Sequence, residues 1–496
     1  MKNMKKIMVL ALVTGLTATS CKKEFFNIND NPNNPTTVDI KYAFPNGIEY
    51  TGYVMGNYFQ IWGGLWSQYW TQGASASQYK DWDRYIQSNT EMDRPWSQLY
   101  AGALGDFDFV QKTALADGKK NYAACAMIMK AYVFQYLTDV YGDVPFATAL
   151  MGADNLAPSY EPQKDVYAGI EKLLISALAN IDEASDDHPG AEDVLFGGDM
   201  HIWRTFANTL RLKTYLRLAY TSEAARCKDS VGAMVARGDA FLDYDARLDY
   251  PGVQFQSNPL NTTISALGDY NIVASSTSID SLISMNDPRM AVWFIKATTG
   301  AAAGQYLGLA QGAAYQYPAP TPAHTNYSLP SNAVGGGQNQ DAGKVAPVYL
   351  FTAAESYFLQ AEAYARGWAT GSTGETEYNF AVELSFDQWG LTSADATTYL
   401  SDPRAAYPAA GTAEQKLGAV ITQKWFSFCG SQGLEAWTEF RRTGYPNFLK
   451  PSKSSVLTAG AFPGRFVYSA DELTRNTNAG KVPNQQVKDK VWWDQN

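Results

Sequence analysis

The sequence predicts a mainly α-helical protein with a large core. From about residue 38 onward, long segments carry apolar residues at helical spacing, and short groups of helix breakers separate them. Hydrophobic residues make up 46% of the chain and charged residues 18%, which are proportions of a globular protein and not of a disordered one. Helices are predicted near 38–70, 93–116, 119–138, 164–184, 199–222, 228–238, 275–285, 350–367, 375–389, 412–429 and 434–442.

The first 20 residues have the composition of a signal peptide. Three lysines precede an apolar core of ten residues from Ile7 to Leu16, and small residues then lead to Cys21. That core is too short to span a bilayer, which needs roughly 20 apolar residues, and no later stretch approaches this length. We therefore predict a signal peptide over 1–20 and a lipid on Cys21, as in bacterial lipoproteins. Ordinary secretion with an incidental cysteine is the alternative.

The segment 21–37 is predicted to be a lipidated tether in front of the folded body. It contains the run NDNPNNP at residues 29–35, whose turn formers fit neither a helix nor a central strand. The oxygen-rich residues have a faint similarity to a calcium loop, but Pro32 interrupts the pattern and no Glu closes it. We predict no metal site in this segment.

The charge of the chain is negative and argues against nucleic acid as a partner. Residues 1–20 contain three lysines and no acid, so removing them changes the formal net charge from -10 to about -13. An acidic surface disfavours binding to nucleic acid and to anionic lipid. The aromatic content, 13 Trp and 31 Tyr against 23 Phe, favours a binding protein, because Tyr and Trp suit half-exposed surfaces as well as cores.

The cysteines and histidines indicate no metal site and no redox chemistry. An odd number of cysteines besides Cys21 argues against a disulfide framework, and the absence of a CxxC pair argues against zinc. We predict three buried thiols, at Cys125, Cys227 and Cys429. The three histidines are scattered and lack acidic residues at a supporting spacing. No cofactor and no metal are predicted.

The helix near 199–222 shows how a start and a buried face are recognised. Asp199 has the character of an N-cap, because its short acidic side chain can accept hydrogen bonds from the first free amides. Ile202, Phe206 and Leu210 then follow at four-residue spacing along one side. This side is predicted to face the core.

The helix near 350–367 has a ridge of small residues. Ala353, Tyr357, Ala361 and Ala365 lie four residues apart, so a neighbouring helix can approach closely. Helix pairs with alternating small and bulky contacts resemble tetratricopeptide units, although the period of about 34 residues is not clean in this chain. The similarity is therefore to a style of packing.

The stretch between about 297 and 345 has a different composition. It combines tyrosines and prolines with Gly335-Gly336-Gly337 and carries almost no charge. We predict a loop-rich insertion, which is too long to be a simple connector. Long loops on a helical scaffold often carry function, and a disordered insertion is the alternative.

Three segments of the chain form a pattern that is known from one protein family. They are ANTLRLKTYLRLAY at 207–220, AAESYFLQAEAYARG at 353–367 and QKWFSFCGSQGLEAWTEFRRTGYP at 423–446. In this order and spacing they resemble the SusD/RagB family of nutrient-binding outer-membrane lipoproteins of Bacteroidetes. The lipidated start, the NDNPNNP run and Asp287-Pro288-Arg289 fit the same family, so the resemblance covers nearly the whole mature chain.

The resemblance implies a fold, a location and a function. The fold would be a single SusD-like α-helical domain over 38–496, with tetratricopeptide-like helix pairs and a loop-rich ligand-binding side. The protein would be lipid-anchored in the outer membrane, facing the extracellular side, and would not be an enzyme. It would capture an oligosaccharide, or in some relatives a peptide, and deliver it to a SusC-type TonB-dependent transporter.

The charged residues of these motifs are predicted to belong to the scaffold. Glu355 and Glu362 are seven residues apart and share a helix face with Ala, Tyr, Phe and Leu, which favours a structural role over acid/base work. Glu439 and Arg442 have the i, i+3 spacing of a helical ion pair. Gly444 is predicted to end their helix.

The segment 61–85 is the first candidate for a sugar site because it is dense in aromatic residues. Sugars present flat C–H faces, and by analogy with base stacking one aromatic platform contributes roughly 1–3 kcal/mol. Trp66 and Trp70 belong to a stripe of tryptophans at four-residue spacing along one helix face. For this stripe we favour core packing over ligand binding. The small, polar loop around Tyr79 and Trp82 is as consistent with ligand binding as with packing.

The loop-rich insertion is the second candidate. Tyr315, Tyr317 and Tyr327 are its predicted platforms. Amide side chains near them in sequence can bond to sugar hydroxyls, and these are Gln316, Asn326 and Asn339.

Three other functions stay open on the residues alone. No pocket signature separates a glycan-binding lipoprotein from a peptide-binding one of the same fold. A secreted glycoside hydrolase would need two carboxylates in an aromatic cleft, for which Glu435, or Asp81 with Asp83, could be imagined. A structural helical-repeat adaptor would pack all of its aromatic residues.

Overall fold

The computed structural model describes residues 38–267, 270–482 and 485–495. The body is mainly α-helical, which confirms the predicted fold class. The predicted signal peptide 1–20, the lipidation site Cys21 and the tether 21–37 lie outside the described residues. These three features of the N-terminus therefore stay predictions.

The helices predicted from apolar periodicity are present, and the described residues contain six further short helices, of four to eight residues, that were not predicted. In chain order they are α1 (Ile40–Gly56), α2 (Tyr58–Trp66), α3 (Lys80–Asp83), α4 (Asp93–Ser97), α5 (Gly105–Ala116), α6 (Lys120–Tyr141), α7 (Gln163–Asn180), α8 (Met200–Arg217), α9 (Ala224–Arg237), α10 (Pro259–Ala266), α11 (Ser276–Ser284), α12 (Met290–Trp293), α13 (Asp341–Lys344), α14 (Ala353–Ala365), α15 (Glu375–Asp387), α16 (Ser393–Leu400), α17 (Ala413–Ser427), α18 (Gly433–Thr443) and α19 (Ala470–Arg475). A π-helical turn, Gln98–Leu104, joins α4 to α5.

The described strands are short and pair two by two, all antiparallel. The pairs are β1 (Trp70–Gln72) with β5 (Ile272–Ala274), β2 (Val144–Pro145) with β3 (Tyr160–Glu161), β4 (Ala246–Leu248) with β8 (Val348–Phe351), and β6 (Phe294–Ile295) with β7 (Leu329–Pro330). The β1–β5 and β4–β8 pairs each join two different connections between helices, whereas the β2–β3 and β6–β7 pairs each lie within one connection. The β1–β5 pair lies next to the candidate site described below.

The predicted helix 38–70 is in fact two helices followed by a turn. α1 and α2 are separated at Asn57, which leaves helical geometry with φ -119° and ψ -86°. After α2 the chain turns at Gln68, whose φ of 64° is left-handed. The Gln68 side chain accepts hydrogen bonds from Thr277 Oγ1 at 2.8 Å and from Lys450 N at 3.2 Å. Because these partners are distant in sequence, local periodicity could not predict the turn.

Helix α6 forms the centre of the core. Every residue from Asn121 to Tyr141 is buried. Helices α5 and α7 pack directly against α6, and α8 with α9 and α14 with α15 form further neighbouring pairs. This packing of successive helices is the style that the alanine ridge of α14 predicts.

Several local predictions are confirmed. The Asp199 carboxylate caps α8 by accepting hydrogen bonds from His201 N at 2.9 Å and Ile202 N at 3.1 Å. Gly444 follows α18 with a left-handed φ of 74°, as expected for a residue that ends a helix. The three predicted thiols are free and buried, at Cys125, Cys227 and Cys429.

The charged residues of the three motifs meet in one buried network. Its members come from α8, α14, α17 and α18, and are Lys213, Arg217, Glu355, Glu362, Lys424, Glu435, Glu439 and Arg442. Four cations therefore face four carboxylates away from water. The scaffold role predicted for these residues agrees with this placement.

Each charge in this network has an oppositely charged partner close by. Lys213 Nζ lies 2.9 Å from Glu355 Oε1 and 3.0 Å from Glu435 Oε2. The predicted pair of Glu439 and Arg442 is present, with 2.5 Å between Oε2 and Nη2. Burial opposes the ionisation of Glu439, but the nearby cations, Arg442 first, hold its pKa well below its usual range. The four carboxylates and four cations of the network balance in formal charge.

The stretch 297–345 is mostly loop, as predicted, but it is not without structure. It contains β7, α13 and three short 3-10 turns. Its apolar residues form a small core with the β1–β5 region, made of Ala74, Val273, Leu309, Ala313, Ala314, Tyr327 and Leu329. This small core joins the loop after β1 to the insertion. The predicted domain boundaries themselves are not tested by these contacts.

Two features are absent from the described residues. Within 38–267, 270–482 and 485–495, no group of three or more His, Cys, Asp or Glu residues is placed to hold a metal ion. No helix in these ranges is long and apolar enough to cross a membrane.

Candidate functional site

The two aromatic regions predicted from the sequence meet in space. The guanidinium carbon of Arg84 lies 3.9 Å from the centroid of the Tyr315 ring. Gln316 Nε2 donates a hydrogen bond to the Lys453 carbonyl at 3.1 Å, which adds a third segment. We call the region formed by Arg84, Tyr315, Gln316, Tyr317 and Lys453 the tyrosine surface.

Tyr315 has a cation against one ring face and is half exposed. The residue is 50% exposed although the Arg84 guanidinium lies against one face. A cation over an aromatic face is attractive, by about 0.5–1 kcal/mol at exposed sites. Arg84 is itself held at 3.4 Å by Asp81 Oδ1 and at 3.4 Å by the Ser454 carbonyl. The ring is therefore supported by the Arg84 guanidinium while half of the residue stays exposed.

Tyr317 and Tyr327 differ in exposure. Tyr317 is 39% exposed and Tyr327 only 7%. Their hydroxyl groups are 3.2 Å apart, with Tyr327 donating to Tyr317. Burial raises the pKa of Tyr327, so its hydroxyl keeps the proton that it donates. Tyr317 lies in the exposed run 315–321, and Tyr327 supports it from inside.

The turn at Gly312 places the tyrosines at the surface. Its φ of 74° is left-handed, and a Cβ at this position would lie 2.0 Å from Ser452 Oγ. Ser454 Oγ donates to the Gly312 carbonyl at 2.9 Å. Ala313 and Ala314 then enter the small core, so the next residue, Tyr315, is left outside. A side chain at position 312 would force the two segments apart.

Trp66 and Trp70 lie in the core, where they are 0% and 1% exposed. Trp66 packs edge-on against Trp437, with ring centroids 4.9 Å apart. Trp70 lies against Gly64, where a Cβ would be 2.3 Å from the Trp70 ring. The burial of these two tryptophans supports core packing, which the sequence analysis favoured over ligand binding.

Tyr79 and Trp82 lie just below the tyrosine surface, 3% and 8% exposed. Trp82 stacks on Trp62 with centroids 3.7 Å apart, and its Nε1 donates to Glu91 Oε1 at 2.6 Å. The Tyr79 ring lies 4.8 Å from the Trp82 ring, and Tyr79 N donates to Gln72 Oε1 at 2.7 Å. Both rings therefore support the loop that carries Arg84. As ligand contacts they stay untested predictions.

The three amides predicted to assist a ligand are not in one place. Gln316 is the one that the structure brings to the tyrosine surface. Asn326 accepts a hydrogen bond from Thr299 Oγ1 at 2.8 Å, within its own loop. Asn339 lies beside α10, where its backbone N–H donates to Ser265 Oγ at 2.9 Å.

Sequence reasoning did not single out Arg84 or Lys453. Arg84 lies two residues after Trp82 in the predicted aromatic segment, so its position next to a candidate platform was a usable signal. Lys453 lies among turn formers near the C-terminus and belongs to no motif. Its proximity to Gln316 depends on how the chain folds back.

The carboxylates considered for catalysis do not form a glycosidase pair. Glu435 belongs to the buried ion network and is only 1% exposed. Asp83 is also 1% exposed, and burial raises its pKa to about 7, against the hydrogen bonds that it accepts. Thr71 Oγ1 and Gly312 N supply two of these bonds, at 2.8 Å and 2.9 Å. The Asp83 carboxyl is thus enclosed by the protein, whereas the side chain of Asp81 is 64% exposed.

A cleft of about 990 Å³ lies apart from the tyrosine surface, between α11 and α17. Asp280, Gln415, Tyr445 and Phe448 are among its lining residues. The sequence predicted no site there. It is the second location that a binding experiment has to consider, because ligand sites are often concave.

Comparison with protein families decides which family the chain represents. A SusD-like model, described as "Starch-binding associating with outer membrane", matches residues 34–469. The chain belongs to the SusD-like family. The resemblance seen in the three sequence motifs is thereby confirmed. No curated protein sequence matches the chain.

Solved structures show that the SusD-like fold extends over nearly the whole chain. A chitin-binding protein superposes with a TM-score of 0.77 at 24% identity, covering 92% of this chain and 100% of its own. A chitin-binding SusD homolog from Flavobacterium johnsoniae has a TM-score of 0.76 at 23% identity, covering 92% and 99%. A SusD homolog from Bacteroides thetaiotaomicron has a TM-score of 0.74 at 22% identity, covering 93% and 100%. At these identities the likeness establishes the fold.

Proposed function

We propose that this SusD-like protein binds an uncharged oligosaccharide at the tyrosine surface and delivers it to a SusC-type TonB-dependent transporter. The observation that carries the proposal is the contact between Arg84 and Tyr315. It holds an aromatic ring with one face toward solvent, which is the platform that the C–H face of a sugar requires. Tyr317 supplies a second exposed ring two residues away.

Polar groups beside the platforms suit the hydroxyls of a sugar. Gln316 carries an amide, Tyr317 a hydroxyl that both donates and accepts, and Lys453 an ammonium group. Stacking on one ring contributes about 1–3 kcal/mol by analogy with bases, so two rings give a moderate affinity that longer glycans can increase. An open surface also accepts the middle of a chain as readily as its end.

The engagement of Arg84 and the descriptions of related proteins favour an uncharged ligand. The Arg84 guanidinium is paired with Asp81 and covers Tyr315, so it is already engaged. The family description names starch, and two of the similar structures are described as chitin-binding. Both polymers consist of uncharged sugars. We therefore infer a neutral glycan, of the malto- or chito-oligosaccharide type.

A lipid anchor on Cys21 would place the binding protein next to its transporter. The family is associated with the outer membrane. Each buried acyl methylene contributes about 0.8 kcal/mol, and more than one acyl chain makes an anchor stable. We infer that the lipidated chain faces the extracellular side and that the turn-rich tether lets the body move over the transporter.

The rivals of this proposal are a peptide-binding protein of the same fold and an enzyme. For an enzyme, the enclosed Asp83 and the ion-paired Glu435 are poor candidates, because neither faces a cleft. We infer a non-catalytic function. A peptide ligand has no specific contact in its favour here, so it is treated as an outcome of the test.

Isothermal titration calorimetry of the purified protein tests the proposal. Chito-oligosaccharides, malto-oligosaccharides and mixed-sequence peptides form the panel. We expect saturable binding of one glycan class and none of the peptides. Peptide binding with silence toward every glycan would overturn the proposal, and hydrolysis of a bound glycan would favour the enzyme.

A further inference from the structure

Asp83, at the end of α3, connects the two parts of the tyrosine surface from below. Its Oδ2 accepts hydrogen bonds from Thr71 Oγ1 at 2.8 Å and from Gly312 N at 2.9 Å. Its Oδ1 accepts a hydrogen bond from the Gln311 side-chain amide. The residue before Arg84 is thus bonded to the two residues that precede the turn carrying Tyr315.

The partners of Asp83 require an acceptor at both oxygens. The Gly312 N–H can only donate. The Gln311 amide is fixed in orientation, because its Nε2 also donates to the Leu65 carbonyl at 2.9 Å. Flipping that amide would bring its oxygen against the Leu65 carbonyl oxygen. A carboxylate therefore accepts from all of these donors. The side-chain amide of an asparagine would place its NH2 group against the Gly312 N–H in one orientation and against Gln311 Nε2 in the other.

Asp83 is an unfavourable residue for a purely structural role in this loop. It is 1% exposed, and no cation of the described chain forms an ion pair with it. The ionisable groups on its own segment are Tyr79, Lys80, Asp81, Arg84 and Tyr85. On the segments packed against it they are Tyr315 and Tyr317 after Gly312, and Lys450 and Lys453 in the segment that bonds to Gln311. A buried charge without a counter-ion lowers stability compared with an apolar residue. Its geometry therefore points to a role in positioning.

We propose that Asp83 is a positioning residue of the ligand site, which holds residues 311–317 against residues 79–85 so that Tyr315 lies over Arg84. This inference rests on the function proposed above. Without these hydrogen bonds of Asp83, which we call the Asp83 bridge, the Gly312 turn is no longer bonded to α3. The Tyr315 ring then moves off the guanidinium, and the free energy of ordering both loops has to come from the ligand.

The titration of Asp83 gives the proposal a distinctive pH dependence. Burial raises its pKa to about 7 from the usual value of 3.8, so between these values the native state binds more protons than the unfolded state. The contribution of Asp83 to stability is therefore best below about pH 4 and is lost as the pH rises through 7. Ligand affinity instead increases as the pH rises through 7, because the ionised carboxylate is the form that accepts all three hydrogen bonds.

The substitution Asp83→Asn tests the bridge, with Asp193→Asn as the matched control. Asp193 is also buried and accepts hydrogen bonds, from Trp203 Nε1 at 2.7 Å and from Gly198 N at 2.9 Å, in the connection before α8. None of these residues belongs to the tyrosine surface. Affinity for chito- and malto-oligosaccharides is measured by calorimetry between pH 5 and 8, and thermal melting is measured in parallel.

We expect D83N to weaken glycan binding about tenfold or more and to flatten its pH dependence. D193N should lower the melting temperature but leave affinity and pH dependence as in the wild type. The pH dependence of the wild type contains contributions from every titratable group, so only the difference between wild type and D83N is assigned to Asp83. Equal affinity and equal pH dependence in D83N and the wild type would overturn the proposal.

A ligand-free measurement separates this inference from the proposed function. Hydrogen exchange reports the opening of residues 311–317 directly. We expect faster exchange at Gly312 and the residues after it in D83N than in the wild type or D193N. If the wild type binds no glycan, the proposed function fails, and the bridge still stands or falls by this exchange. Unchanged exchange at these residues would mean that Asp83 does not hold the loop.

Discussion

Arg442 binds Glu362 through two parallel hydrogen bonds, from Nη1 to Oε1 at 2.6 Å and from Nη2 to Oε2 at 2.7 Å. Both side chains are fully buried. Two-pronged pairs of this kind are among the strongest charged hydrogen bonds, and here the pair joins α14 to α18. The charged residues of the family motifs therefore fasten helices to one another inside the scaffold.

The substitution Arg442→Ala should destabilise the protein by about 3–5 kcal/mol, because it removes one cation from a buried network of balanced charge and breaks the two-pronged pair with Glu362. Urea unfolding of the purified protein measures the loss. Arg475→Ala is the control, since Arg475 pairs with Asp471 at 3.2 Å but its side chain is 79% exposed. Similar unfolding midpoints for the two variants would contradict the structural role of the network.

Removing either exposed ring should weaken glycan binding without unfolding the protein. We expect Tyr315→Ala and Tyr317→Ala each to cost about 1–3 kcal/mol of binding free energy, measured by calorimetry. Tyr244→Ala is the control, because Tyr244 is 57% exposed but lies in the connection between α9 and β4. Loss of affinity in all three variants, or in none, would remove the tyrosine surface as the site.

Trp82→Ala should act mainly on stability. The ring stacks on Trp62 and is only 8% exposed, so its removal leaves a cavity and should cost about 3–5 kcal/mol of unfolding free energy. Any loss of ligand affinity would then follow from movement of the Arg84 loop. A thermal melt identical to that of the wild type, together with lost binding, would instead identify Trp82 as a direct contact.

Cys21→Ser should release the protein from the membrane while leaving its ligand affinity unchanged. Without the thiol no acyl chain can be attached, and the described chain contains no spanning helix that could replace it. Fractionation of cells expressing the variant shows its location, and calorimetry of the released protein shows its affinity. A variant that stays in the membrane fraction would mean that another segment holds the protein there.

The helices were predictable from the sequence because each depends on neighbouring residues. Asp199 caps α8 and Gly444 ends α18 through contacts within a few residues, so their residue types alone indicate the role. The i, i+3 pair of Glu439 and Arg442 is local in the same sense. The partnership of Arg442 with Glu362 is not, because it depends on which helices become neighbours.

The candidate site was predictable in composition but not in arrangement. Both aromatic regions could be named from the sequence, yet their meeting at Arg84 and Tyr315 depends on the left-handed turn at Gly312 and on contacts with residues 452–454. The burial of each aromatic side chain could not be predicted from the sequence either. Trp82 and Tyr315 look alike as aromatic residues in polar loops, and only the stacking of Trp82 on Trp62 separates them.

The central claim is that a glycan stacks on the face of Tyr315 opposite Arg84. A crystal structure of the protein with a bound chito- or malto-oligosaccharide, whichever calorimetry shows to bind, tests it most directly. We expect a sugar ring on the free face of Tyr315, with Tyr317 beside it and Arg84 still behind the ring. A glycan seated in the cleft between α11 and α17, with Tyr315 bare, would contradict the account.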